Sequence, residues 1–415
     1  MRIAIVGSGV AGLAVAWHLR ATHDITLLES SATPGGHVHT VQVDDPLGPL
    51  AVDMGFIVFN RRTYPGFCAW LAELGIEARP STMSFSVRDD ASGREWNGGS
   101  LGGLFVQRSH LLSPRFLGFV RDILRFGRNV KRWHAREASD LSLGEFLSRG
   151  RYGARFREEY LVPLVASIWS APPGSVESFP MRFLAGFLVN HGMLDVFGRP
   201  PWLTVSGGSR SYVQRVLERC GERVRLRTST KVRSVARQSD GVELELGDGT
   251  RERFDEVVLA CHADQALGLL REPTPREREL LSAFPYQENL ALLHTDTRLL
   301  PRKRAAWAAW NYRVESSRES DRACVTYDMN ILQGLRSSAE LLVSLNGEEL
   351  VDPKQVLQRV LFSHPQYGLR SHAAQARHAE LIRHQRVSAC GAYWGYGFHE
   401  DGYQSGLRVA RAFAS

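Results

Sequence analysis

At 415 residues the chain is too long for one ordinary core, so two lobes are expected. Hydrophobic residues at 43% and charged ones at 23% are those of a folded protein and exclude a disordered or fibrous chain. A net charge of +7 favours acidic partners, yet no nucleic-acid-binding module is visible, and nucleic acid is not an expected partner.

The first elements are the most informative. Arg2-Ile3-Ala4-Ile5-Val6 is a short apolar strand, and Gly7-Ser8-Gly9-Val10-Ala11-Gly12 follows it. A helical pattern over 13–19 and a second apolar run over 25–28 lead to Glu29. In that context Gly7 permits the tight turn, Gly9 lets main chain approach a pyrophosphate, and Gly12 lets helix and strand pack closely. The helix N-terminus offers unpaired N–H groups and a positive dipole end to that anion. Glu29 lies where a carboxylate would accept hydrogen bonds from an adenosine ribose and repel a 2′-phosphate. The combination predicts dinucleotide binding. A strand at the very start leaves no room for a signal peptide, and no apolar run approaches a membrane span. The five cysteines (68, 220, 261, 324, 390) are scattered and lack a CxxC pair. They suit a cytoplasmic location and argue against disulfides or a structural metal.

Further along come the Gly-rich turn Thr33-Pro34-Gly35-Gly36-His37 and then Val52-Asp53-Met54-Gly55-Phe56. Residues 63–202 read as mainly helical. Within them, 108–136 interleaves arginine with Leu111, Phe116, Phe119, Ile123, Leu124, Phe126 and Trp133. Two readings stand: a basic amphipathic stretch on an anionic membrane surface, or an ordinary amphipathic helix with a solvated arginine face. Gly207-Gly208-Ser209 opens a helix to about Cys220. Strands are expected over 224–226, 232–235 and 242–246, and a single buried strand over 254–260. Strand-like runs at 290–294, 324–327 and 341–345 belong to a second lobe. The chain closes with a strand over 386–390, a second Gly-rich turn and a helix from Gly402.

Several of these motifs together resemble the flavin-containing amine oxidases and their relatives, which include protoporphyrinogen oxidase and the phytoene desaturases. They are Gly7-x-Gly9-x-x-Gly12 with Glu29, Gly35-Gly36, Asp53-x-Gly55 and the C-terminal Gly-rich turn. Gly391-Ala392-Tyr393-Trp394-Gly395-Tyr396-Gly397-Phe398-His399-Glu400-Asp401-Gly402 is more specific. With His294-Thr295-Asp296 and residues 307–312, it resembles a bacterial subgroup of FAD-binding proteins linked with fatty-acyl methylation and cyclopropanation, including furan fatty acid desaturases. The resemblance implies an α/β fold with a Rossmann-type FAD lobe (1–62, 203–265 and 386–415) interleaved with an α+β substrate lobe (63–202 and 266–385). It puts Gly9, Ala11 and Gly12 against the FAD pyrophosphate and Glu29 on the ribose. Gly35, Gly36 and His37 would run beneath the flavin side, although many relatives carry arginine in place of His37. Val232 would bracket the adenine through its backbone, and the Gly402 helix would point its N-terminus at the flavin pyrimidine. Val10, Ser30, Gly55, Phe56, Gly391, Glu400 and Asp401 complete the implied cofactor set.

Catalytic candidates cluster on the last turn. Trp394, Tyr396, Phe398 and His399 would wall an apolar substrate channel or pack around a cofactor loop. As a histidine, His399 could act as an acid or base at neutral pH, but a hydrogen-bonded structural role is open to it as well. Glu400 and Asp401 sit where acids cap a helix. His294 and Asp296 share a strand face, either as a relay or as ordinary polar residues. Of the four lysines, Lys131, Lys231, Lys303 and Lys354, only Lys303 lies in a candidate region, and it stands in the solvent-facing run Arg302-Lys303-Arg304. The implied activity is FAD-dependent desaturation of a lipid acyl chain, methyl-branched or unsaturated and phospholipid-bound, by hydride transfer to flavin. An amine or polyamine oxidase and a redox-neutral double-bond isomerase are the alternatives. No second GxGxxG occurs, so oxygen or another acceptor, not a pyridine nucleotide, is expected to take the electrons. The protein would be cytoplasmic, with peripheral contact to the membrane's inner face through 108–136.

Overall fold

In the computed structural model, which describes residues 1–136, 141–195, 198–314 and 322–413, strand Arg2–Val6 is the centre of a five-stranded parallel sheet. The order is Val224–Arg227, Asp24–Leu28, Arg2–Val6, Glu256–Leu259, Val387–Ala389. Helices cover the sheet, which is why Ile3, Ala4 and Ile5 are wholly buried without alternation. Gly7 turns the chain at φ +104°, and helix Val10–Leu19 folds back on the strand. A Cβ on Gly12 would lie 2.0 Å from the Gly7 carbonyl oxygen, so only glycine permits that contact. The last helix, His399–Arg411, approaches the first equally closely: a Cβ on Gly406 would stand 2.4 Å from the Ala11 carbonyl oxygen.

This core differs from the sequence reading in three places. Helix Pro65–Leu74, assigned above to the second lobe, buries Phe67, Trp70, Leu71 and Leu74 among Trp17, Tyr212 and Tyr403 of the first. The run over 254–260 is two strands. Arg251–Phe254 closes a three-stranded antiparallel sheet with Val242–Leu246 and Val232–Arg237, whereas Glu256–Leu259 joins the parallel one. The break falls at Asp255, whose carboxylate accepts the Arg2 main-chain N–H at 2.7 Å. The final helix begins at His399, three residues before Gly402.

A second, seven-stranded sheet runs Val356–Pro365, Tyr286–His294, Leu342–Leu345, Val325–Asp328, Trp310–Val314, Phe85–Asp89, Arg94–Asn97. Its last two strands come from the segment read as helical. The alternating Phe85-Ser86-Val87-Arg88-Asp89 and the turn at Gly93 were the local signal for that hairpin. Helices between 101 and 190 bury Phe116, Phe126, Phe156, Phe179 and Phe183 over this end of the sheet, with Trp96 and Val87 beneath them. Hairpin Thr40–Val43/Leu50–Asp53 joins the two bodies, burying Val52 against Leu341 and Val343. Among the described residues no helix is long and apolar enough to cross a membrane.

Candidate functional site

A cavity of about 670 Å³ lies between the C-terminal ends of the parallel strands and the seven-stranded sheet. Val6, Leu28 and Ala260 line it from the first side, Trp310, Tyr327, Leu345 and Phe362 from the second. The carboxyl edge of a parallel sheet, where strand order reverses around a central strand, is where such folds bind ligands.

Gly7, Gly9, Val10 and Ala11 form one end of the wall. Gly9 is open: a Cβ there would meet nothing within 4 Å. It is also the N-cap of helix Val10–Leu19 and supplies no side-chain cap, so the first N–H groups remain available to an anion. Glu29 and Ser30 line the same end. The Glu29 carboxylate is fixed by four donors, the Ser8 N–H (3.0 Å), the Ser8 hydroxyl (2.6 Å), the Ser31 N–H (2.9 Å) and, more weakly, the Ser30 hydroxyl (3.4 Å). Thr230 N–H donates to the Glu29 carbonyl, which brings Lys231 and Val232 onto the wall beside it. Gly35, Gly36, His37, Gly55, Phe56 and Gly391 continue the wall.

Of the candidates on the last turn, Tyr396, Phe398 and His399 reach the cavity. The His399 ring stacks on Phe56 (centroids 3.5 Å apart), and its Nε2 lies 3.0 Å from the Tyr212 hydroxyl. Burial holds its pKa well below the ordinary value, so it is a fixed neutral imidazole. Tyr396 lines the wall, and its carbonyl accepts the Trp169 indole N–H at 2.9 Å.

The remaining predicted residues are placed elsewhere. His294 is fully buried in the second sheet, with Nε2 against the Ser344 hydroxyl (2.8 Å) and Nδ1 accepting the Asp296 N–H (3.1 Å). Asp296 pairs with Arg298, so no relay points at the cavity. Trp394 turns away from the wall onto Phe284 and the His378 ring, and its neighbour Tyr393 lines the cavity instead. Glu400 caps another helix, accepting the Gly66 and Phe67 N–H groups at 3.0 and 2.8 Å. Asp401 accepts the Phe398 N–H (3.0 Å) at the start of its own helix, where burial pushes its pKa up to about 7. Gly402 faces Val10 and Gly12 faces Gly7, so both are packing glycines. Lys303 is exposed, with its ammonium on the Val106 carbonyl.

The sequence names His37 but not the two histidines beside it. His37 stacks on Phe362 (5.0 Å) and lies 5.4 Å from His364 and 5.8 Å from His262, whose ring stacks on Tyr286 (4.5 Å). His262 was within reach, since it follows the end of a buried parallel strand. His364 and Phe362 come from the other sheet and carry no local signal. Burial lowers His37 and His262 to about 4 and His364 to about 3. His191, His294 and His378 are lowered to about 4 for the same reason.

These imidazoles make the fold acid-sensitive. Between about 4 and 6.5 the unfolded chain takes up protons that the buried rings refuse, so their contribution is intact above pH 6.5 and is lost as pH falls. Each is worth on the order of 3 kcal/mol at the acid end. Asp53 and Asp328, raised by burial to about 6, and Asp401, to about 7, work the other way but are fewer. Urea midpoints measured at pH 7 and pH 5 should show the lower value at pH 5; equal midpoints would contradict this account.

The sequence model of the flavin-containing amine oxidoreductases matches residues 10–413. The chain belongs to this family. It is an FAD-dependent oxidoreductase. Solved structures with the same fold include wild-type putrescine oxidase bound to putrescine (16% identity, TM-score 0.71, covering 100% of this chain and 99% of that one). Cyclohexylamine oxidase from Brevibacterium oxydans is similar (16%, 0.70, 100% and 98%), as is a fatty acid isomerase from P. acnes that produces CLA (15%, 0.68, 100% and 99%). At such identities the likeness establishes the two-lobed fold. The residues of this flavoprotein fit its cofactor: bare main chain at Gly9, an uncapped helix N-terminus, and a carboxylate already oriented as an acceptor at Glu29.

Proposed function

We propose that this flavoprotein removes two hydrogens from the acyl chain of a lipid, methyl-branched or unsaturated and carried on phospholipid, at an anionic membrane surface in the cytoplasm. The cavity wall carries this reading. Among its described residues the sole carboxylate is Glu29 and the sole amine Lys231, both at the glycine-rich end. Away from that end Ile168, Trp169, Trp310, Tyr327, Leu332, Leu345 and Phe362 line it, interspersed with uncharged polar groups such as Ser167, Ser170, Gln265 and His364. An alkyl chain gains about 0.8 kcal/mol per buried CH₂ in such surroundings. An ammonium ion would shed its hydration there and find no carboxylate away from Glu29, with aromatic faces and neutral imidazole, amide and hydroxyl groups in compensation. A fatty acid isomerase among the similar structures supports a fold able to take acyl chains.

In this reading the main chain at Gly7, Gly9, Val10 and Ala11 holds the pyrophosphate, Glu29 and Ser30 the ribose, and Val232 the adenine. His37, Phe56, Gly391 and the helix beginning at His399 border the flavin. The first lobe is 1–62, 203–265 and 386–415, extended by helix Pro65–Leu74. Bound FAD supplies a two-electron acceptor, which oxygen or another oxidant then restores. The protein's own part is to seat the chain along the aromatic wall and exclude water. Fixing Trp169 through the Tyr396 carbonyl keeps that wall rigid.

Anaerobic mixing of the purified yellow protein with unsaturated or methylated phospholipids, and separately with polyamines, tests the reading. Bleaching by the lipids alone is the expected result. Bleaching by amines alone overturns it. No bleaching, with a shifted double bond in the recovered lipid, would replace desaturation with isomerisation.

A further inference from the structure

Helix Pro114–His134 has two unlike faces. Phe116, Phe119, Phe126 and Val130 bury into the second core. Leu117, Arg121, Leu124 and Arg128, spaced by four, three and four residues, share a different one. Leu117 and Leu124 are 46% and 48% exposed, and both arginines are exposed. In the short turn Arg108–Leu112 before the helix, Leu111 and Leu112 are also exposed, Leu112 at 88%. Stacking of His110 on Phe116 (4.0 Å) fastens that turn to the helix. With Leu101, five of the ten large hydrophobic side chains exposed among the described residues fall within 101–124, so the exposure is concentrated.

Charge on this face is equally one-sided. The helix's single acid, Asp122, is buried, accepts the Gly153 N–H and pairs with Arg125. Lys131 pairs with Asp195. Among the described residues Arg121 and Arg128 on this face have no acidic partner, and both are exposed.

We propose that this face docks on an anionic phospholipid bilayer, with Leu111, Leu112 and Leu117 entering the headgroup layer and Arg121 and Arg128 meeting lipid phosphates. The proposal rests on the lipid substrate reading above, because such a surface is where a phospholipid-bound chain is presented. Leucines by themselves would suit a protein partner, and arginines by themselves a nucleic acid. Interleaved along one helix that lies flat, they match an interface whose outer layer is charged and whose inside is apolar.

Sedimentation of the flavoprotein with phosphatidylcholine vesicles, and with vesicles that also contain phosphatidylglycerol, tests this. Binding is expected only to the anionic vesicles, weakened by salt and reduced about five-fold for each arginine removed. The Arg121→Glu/Arg128→Glu and Leu112→Asp/Leu117→Asp variants should keep their flavin and circular dichroism and lose the vesicles. Absence of wild-type binding, or variants that sediment like wild type, would overturn it. So would a dimer that Leu112→Asp splits without changing vesicle binding, since a second copy would then cover the face. Bleaching by detergent-dispersed lipid reads the substrate separately. Bleaching without vesicle binding removes this surface and keeps the proposed function; vesicle binding without bleaching does the reverse.

Discussion

Gly12→Ala protein is expected to purify without flavin colour and with markedly reduced stability, whereas Gly9→Ala should fold normally and lose flavin affinity alone. Both changes add one methyl to the same turn. At Gly12 it would sit 2.0 Å from the Gly7 carbonyl oxygen and 3.2 Å from the Ala260 Cβ. Neither neighbour is the free end of a flexible side chain, so helix and strand must separate. Alanine's better helix propensity returns about 1 kcal/mol. Overpacking of this kind costs about 1–3 kcal/mol and more where backbone must move, so the steric effect wins. The displaced elements also carry Gly7, Gly9 and Ala11, which is why the cofactor should go with the stability. At Gly9 the same methyl enters open space at φ −65°, with no strain. The flavin-to-protein absorbance ratio and the urea midpoint together separate the two cases. Full flavin content in Gly12→Ala would remove the close-contact argument.

The cofactor-binding features of the first 29 residues were legible because they are local. A tight turn, a helix start and a carboxylate at a strand tip are each specified by neighbours in sequence. The far wall of the cavity was not, because alternation on a strand distinguishes its two faces without saying which one meets a cavity. His294 shows this: its strand, Tyr286–His294, runs between two others, and the ring falls on the Ser344 side. Trp394 shows a finer limit. The Gly-rich turn lines the cavity, but a single 3₁₀ turn over Ala392–Trp394 puts Tyr393 at the wall in place of Trp394. Glu400 was read as a cap and is one, for a helix more than three hundred residues away in sequence, a contact no local pattern encodes. In 108–136 the hydrophobic period announced an amphipathic helix. That Leu117 and Leu124 stand outside its buried face emerged only once the core was in place.

Asp53→Ala should be the most destabilising single side-chain truncation at the junction of the two bodies. Five donor contacts converge on this buried carboxylate. The Thr40 and Ser209 hydroxyls approach at 2.5 and 2.7 Å, the Ser209 N–H lies 3.0 Å from each oxygen, and the Gln333 amide is at 3.0 Å. The Gln333 side chain also accepts the Asp53 N–H, at 2.9 Å. One carboxylate thus holds the hairpin, the start of helix Arg210–Arg219 and Gln333 at the end of the short helix Met329–Leu332. Burial raises its pKa to about 6, so the site tolerates a proton; it does not tolerate loss of the oxygens. Each buried donor left unpaired costs about 1–3 kcal/mol, which puts Asp53→Ala at roughly 3 kcal/mol or more after relaxation. Asp53→Asn preserves volume but turns an NH₂ toward a ring of donors, so it should recover only part of the loss. Urea midpoints for the two variants, with flavin content alongside, give the check. Asp53→Asn at wild-type stability would mean that the pocket is served by the neutral acid's single acceptor, and that the hydroxyls reorient to meet it.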